Sequence, residues 1–170
     1  MQVDIVSLRI VCYPDPVLRK AAQPIAEVTT TVREVAQRML QLMHEAKGVG
    51  LAGPQVGLGY RLFVANPTQE PDGDRVFINP ILTNPTRKSA QFEEGCLSLP
   101  QVTGQITRTV GITIEALDLD AKPFTLISEK LAARIWQHEI DHLNGILILD
   151  RMSPIDKIAN RQAIKELESA

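Results

Sequence analysis

Hydrophobic positions along the 170-residue chain fall into two kinds of period. From Thr29 to Gly48, TTTVREVAQRMLQLMHEAKG sets Val32, Val35, Met39, Leu40 and Met43 at helical spacing. Thr31 with Glu34 reads as a capping box, and Gly48 as the residue that ends the helix. His44 falls in its last turn, where it complements the helix dipole and is expected to be a surface residue rather than a ligand. The middle of the chain is strand-like. RLFVAN (61–66) and RVFINP (75–80) are short apolar runs separated by the turn-rich PTQEPDGD. VGITIEALDLD (110–120) alternates apolar and polar residues, and KPFTLIS (122–128) is a further strand. A second helix is predicted from about Glu129 to Leu143, capped by Ser128, with Leu131, Ile135 and Leu143 turned to the core. Ser153-Pro154 opens a last helix over about 154–168. The expected class is α+β: mixed or antiparallel strands packed around a central helix, with N-terminal and C-terminal helices.

Composition fits that picture. The length suits a single domain over 1–170 with a core that needs no disulfides. An apolar fraction of 44%, a charged fraction of 22% and a net charge of −2 give no nucleic-acid or membrane footprint. No apolar run approaches the roughly 20 residues of a membrane span. The opening MQVDIVSLRIVCYPDPVLRK lacks a signal-peptide layout, so a cytoplasmic protein is expected. YPDPVLR within it, with two prolines, reads as extended or turn backbone. Two cysteines, Cys12 and Cys96, are too few for a disulfide framework. Cys12 is expected to be a small buried hydrophobe.

The chemistry gathers in QHEIDHLNG (137–145). H-E-x-x-H on a helix puts His138 and His142 on one face, one turn apart, with Glu139 beside them. Two imidazoles that way can bind a divalent metal while the glutamate handles a water proton. With only three histidines in the chain, chance is a poor explanation. The third ligand is open on spacing alone. Gly145 matches a metzincin pattern, but Ile148 stands where its last histidine belongs. Glu166 lies downstream on the last helix. Cys96 lies upstream in EEGCLSLP, read as a short loop, where a thiolate suits zinc or ferrous iron. Two other readings share the metal helix: a metalloprotease with Glu166 as ligand, and a metal-stabilised binding protein, which would want a closed set of four protein ligands.

GVGLAGPQVG (48–57), EGCLSLP (94–100) and QHEIDH (137–142), in this order and at similar spacing, resemble the peptide deformylases. YPDPVLR and LNGILILDRM extend the resemblance to about Met152. It implies a metal held by Cys96, His138 and His142, with a water completing the tetrahedron. It implies Glu139 as general base and then acid, and the Gln55 amide with the Leu97 backbone N–H as donors to the oxyanion. Val49, Gly50 and Gly95 resemble positions lining the substrate. An extended peptide could add against them as a strand, and Ile135 and His138 are candidates for the methionine pocket. The implied substrates are N-formylmethionyl peptides and nascent chains. The implied ion is ferrous iron in the cell, with zinc, nickel or cobalt able to occupy the site in purified protein. The C-terminal helix would be a tether to the ribosome, through a basic stripe of Lys157, Arg161 and Lys165. One departure is visible: the family usually has Ala-Ala-Pro-Gln where this chain has Ala52-Gly53-Pro54-Gln55, and glycine widens the backbone choices there.

Overall fold

Strand β2 (Leu62–Ala65) is buried at every residue, and this fixes the architecture around it. A strand buried on both faces needs a helix on each. In the computed structural model, which describes residues 3–169, α1 (Thr30–Glu45) and α2 (Leu131–Leu143) supply them. On the α1 side, Val32, Val35, Met39 and Met43 pack against Leu62, Val64 and Ile78. On the α2 side, Ala133, Trp136 and Leu143 pack against Phe63, Phe77 and Ile114. The Phe63 and Phe77 rings, on paired neighbouring strands, stack at 4.4 Å.

The sheet is five-stranded, in the order β1 (Gly50–Ala52), β2, β3 (Arg75–Thr83), β6 (Ile112–Leu117), β7 (Pro123–Ser128). All its pairings are antiparallel, with a bulge in β3 between Ile78 and Ile81. The one parallel contact among the described residues is an isolated Gln23–Tyr60 bridge. A separate hairpin, β4 (Ser89–Cys96) and β5 (Leu99–Thr109), covers the other flank of α2. Its inward residues Leu99, Val102 and Ile106 share a third core cluster with Leu18, Leu147 and Ile148. This hairpin has no counterpart among the elements expected from the sequence, where its turn reads as a short loop.

Several element ends differ from the sequence expectation. The cap of α1 is Thr29, whose hydroxyl accepts from Val32 N at 3.4 Å, so Thr31 and Glu34 lie inside the helix. The left-handed residue ending α1 is Lys47 (φ 55°), not Gly48. Gly48 instead lies against Leu97: a Cβ there would come 2.7 Å from the side-chain atom Leu97 Cδ1. α2 starts at Leu131 rather than Glu129, because Ser128 is still strand and its hydroxyl caps only the turn, accepting from Lys130 N at 3.1 Å. Leu131 is 52% exposed and not in the core. The C-terminal helix is two pieces, α4 (Pro154–Ala159) and α5 (Arg161–Glu168), after a short α3 (Ile148–Arg151). Asn160 sits at the break and clasps the hairpin: its Nδ2 donates to Thr103 O at 2.7 Å and its Oδ1 accepts from Thr103 N at 3.2 Å. Ile155 and Ile158 are consequently exposed, while Ala163, Ile164 and Leu167 pack inward. Cys12 is exposed rather than buried. Among the described residues, no helix is long and apolar enough to cross a membrane.

Candidate metal centre

The i, i+4 spacing on α2 turns both imidazoles to the hairpin side, and the hairpin brings Cys96 to them. His138 Nε2 and His142 Nε2 lie 3.1 Å apart, and Cys96 Sγ lies 3.3 Å from His142 Nε2. The register of the hairpin shifts between Gly95 and Cys96, at the mouth of its two-residue Leu97-Ser98 turn, which re-aims the cysteine. Among the described residues this is the single group of three or more His, Cys, Asp or Glu whose donor atoms converge, all within 4.8 Å. Two ring nitrogens and a thiol so close have few protons to share, and a divalent cation is the common partner that satisfies all three. Glu166 is elsewhere: it is exposed on α5 and accepts from Gln162 at 2.7 Å.

The ring of His138 is oriented from behind. Its Nδ1 is 3.2 Å from Glu94 Oε2, on β4. Glu94 in turn accepts from Arg108 Nε at 2.7 Å and Nη2 at 2.8 Å, and also from Arg134. Arg108, with a side chain 3% exposed, donates to Asp141 Oδ2 at 2.9 Å, and Arg151 clasps Asp141 from outside. Burial works to raise the Glu94 carboxyl, but the bonds from Arg108 and His138 outweigh it and hold the group well below the usual carboxylate range. Burial holds His142 well below its ordinary value, so it is the neutral imidazole that a metal requires. Arg108, Asp141 and Arg134 carry no signal of this role in the sequence. Nothing in a lone charged residue reveals that its partners are buried with it.

Glu139 lies on the same helix, facing β1. It is 3% exposed, and its Oε2 has no hydrogen-bond partner among the described residues. Burial pushes its carboxyl up to about 7, against the pull of His138 and Arg108. Room for it exists because Gly50 has no side chain: a Cβ there would run into the carboxylate and come 3.1 Å from Ile135 Cγ2. Gln55 closes the other side. It sits buried in a 3₁₀ turn, Gly53–Val56, where its Oε1 accepts from Ala52 N at 2.8 Å. That bond fixes the amide so that Nε2 points at the centre, 3.4 Å from Cys96 Sγ and 3.3 Å from Ser98 Oγ. Gly53 does not loosen this turn. A Cβ on it would meet Tyr60 O at 2.7 Å and Leu58 O at 3.1 Å, so the backbone here packs closer than an alanine allows.

A cleft of about 390 Å³ opens from these groups to solvent. Val49, Gly50, Gly95 and Leu97 line it, together with Leu131, Arg134 and Ile135 from α2. Leu131, misplaced in the core by its helical spacing, is therefore a wall of the cleft.

The family model for polypeptide deformylase matches residues 7–158. A peptide deformylase from Acinetobacter baumannii is 39% identical over 160 residues, covering 94% of this chain and 91% of its own. One from Acidobacterium capsulatum is 40% identical, with 95% of each chain covered. The crystal structure of a plant peptide deformylase superposes with a TM-score of 0.94 at 36% identity, over 99% of this chain and 92% of that one. A deformylase from Plasmodium falciparum gives 0.91 at 34%, over 95% of each. With the family model spanning most of the sequence and relatives matched nearly end to end, the chain belongs to the polypeptide deformylase family.

Proposed function

We propose that this chain hydrolyses the formyl group from N-formylmethionyl peptides and nascent chains, acting as one catalytic domain over 1–170 in the cytoplasm. Cys96, His138 and His142 would hold a divalent cation, which when bound brings the pKa of a water down towards neutrality and supplies Lewis acidity. The observation that carries the reading is the free, buried Oε2 of Glu139 next to the three converging donors. A buried carboxylate with a free oxygen beside the centre is placed to take a water proton and return it. Glu139 accepts that proton as water oxygen attacks the formyl carbon. The formyl oxygen gains negative charge, which the Gln55 Nε2–H and the Leu97 backbone N–H stabilise from fixed positions. Glu139 then hands the proton to the departing amine, the C–N bond breaks, and formate and a free N-terminus leave. Val49, Gly50 and Gly95 let the substrate backbone approach closely, and the methionine side chain fits the apolar wall of Leu97, Leu131 and Ile135.

The test uses a formyl-Met peptide. Glu139→Gln should keep the metal and lose turnover by about 10³-fold or more. Metal loss, or retention of a tenth of the activity, would overturn the role of Glu139. One thiolate with two imidazoles accepts iron, zinc, nickel or cobalt. We take ferrous iron as the ion in the cell, to be checked by elemental analysis after anaerobic purification.

The reading extends to ribosome docking by the C-terminal helices. Lys157 now lies on α4 and Arg161 and Lys165 on α5, all three exposed, so the break at Asn160 divides the expected stripe. Replacing all three with glutamate should abolish co-sedimentation with ribosomes at low salt while peptide hydrolysis is unchanged. Unaltered co-sedimentation would reject docking by these residues.

A further inference from the structure

Gln55 and Ser98 stand on different elements and meet inside the protein. Gln55 is buried in the 3₁₀ turn, and Ser98 is buried in the turn of the hairpin. The Gln55 amide is held at both of its ends. Oε1 accepts from Ala52 N at 2.8 Å, and a flipped amide would set two donors face to face there. Nε2 therefore points the other way with two protons, 3.3 Å from Ser98 Oγ and 3.4 Å from Cys96 Sγ. Among the described residues, the bond to Gln55 is the one hydrogen bond of the Ser98 hydroxyl. A buried hydroxyl costs free energy unless it is bonded, so this bond accounts for its burial. The two backbones are tied as well. Val11 N donates to Gln55 O at 2.8 Å, and Tyr13 N donates to Ser98 O at 2.9 Å. N–H groups two residues apart on one segment thus hold the two turns at a set spacing. Val11 and Tyr13 pack on the same core cluster as Leu99, and so does Cys96.

We propose that Ser98 is a positioning residue for the oxyanion donors. The inference rests on the function proposed above. The Ser98 hydroxyl accepts one Nε2 proton of Gln55 and leaves the other for the formyl oxygen. The terminal torsion of a glutamine is broad and has no narrow well of its own to hold the amide plane. Without the Ser98 bond the amide keeps its anchor at Oε1 alone and swings about it. Ser98 also follows Leu97 in the hairpin turn. The same bond therefore ties the side-chain donor to the segment that carries the backbone donor, and the pair is set as one unit. Donors already in place need no reorganisation as charge develops.

Ser98→Ala removes one oxygen and keeps the turn. The loaded variant should hold as much metal as the native chain and lose at most about 2–4 °C in melting temperature. On a formyl-Met peptide its kcat should fall about 10-fold with KM changed by less than about two-fold, because the lost contact acts in the transition state. Gln55→Ala alone should cost about 10²-fold. The double variant is the deciding measurement. If Ser98 acts through Gln55, adding Ser98→Ala to Gln55→Ala should cost less than about two-fold more. A second readout needs no turnover. In NMR of the isotope-labelled, zinc-loaded chain, the Gln55 Nε2 protons are identified by their absence from Gln55→Ala. They should exchange with water about 10-fold more slowly in the native chain than in Ser98→Ala. An unchanged kcat in Ser98→Ala, an equal loss in both backgrounds, or amide protons that exchange alike in the two chains would each overturn the proposal. A native chain inactive on the peptide would overturn the function instead, and amide exchange would still decide whether Ser98 holds Gln55.

Discussion

A methyl group on Gly50 has nowhere to go except into Glu139. The expected result of Gly50→Ala is a displaced carboxylate beside otherwise intact converging donors, because the nearest neighbours of the new atom belong to Glu139 and Ile135 and not to Cys96, His138 or His142. A misplacement of about 1 Å at a catalytic group costs on the order of 10²-fold in rate. Metal content should be unchanged and kcat should fall by about that factor, as read by elemental analysis and steady-state kinetics on the same preparation. An unaltered kcat would mean that Ile135 yields instead. At this scale the sequence is readable wherever chemistry is concentrated in a short motif. His138, Glu139 and His142 stand in one helical turn, and Cys96 and Gln55 in two short segments. The glycines are readable as glycines but not for their reasons: Gly48 and Gly50 adjoin groups far away in sequence, Leu97 and Glu139, and Gly53 lies against the carbonyls of the next loop, Leu58 and Tyr60.

The site straddles two elements, and charge holds them together. Arg108 on β5 joins Glu94 on β4 to Asp141 on α2, with Arg134 and Gln137 of α2 reaching back to the hairpin carbonyls of Ile106, Ala90 and Thr109. Breaking a buried pair by removing one partner leaves uncompensated charge, at a cost of about 3–5 kcal/mol. Arg108→Met should fall near the lower end of that range, since Arg134 still answers Glu94 and Arg151 still answers Asp141. Urea denaturation would measure it, and a loss under about 1 kcal/mol would show that the two outer arginines suffice. This is also where sequence reading failed. The inward positions of β5 from Val102 onward include Gly104 and Arg108, and a glycine and an arginine erase the alternation that identifies a half-buried strand. β2, β3, β6 and β7 were readable because their inward positions are apolar throughout or alternate cleanly. The single C-terminal helix was not corrected by its own pattern, because Asn160 breaks it through bonds to Thr103, a contact no local period records.

On the scale of the whole molecule, Cys96 comes from a hairpin with its own core cluster and the two histidines from the helix buried under the sheet. An ion bound by all three is therefore bound by the docked arrangement alone, and the unfolded chain, with its ligands scattered, holds it far more weakly. By mass action the native state gains stability with the logarithm of free metal. Stripping the ion with a chelator should lower the melting temperature and speed amide exchange first over residues 89–109, with re-addition reversing both. Uniform exchange along the chain, or a melt indifferent to chelator, would show that the hairpin stays docked unaided. The consequence reaches synthesis itself. A newly made copy would hold the cell's metal only weakly until hairpin and helix have met, so firm occupancy by an ion would mark the chains that have finished folding.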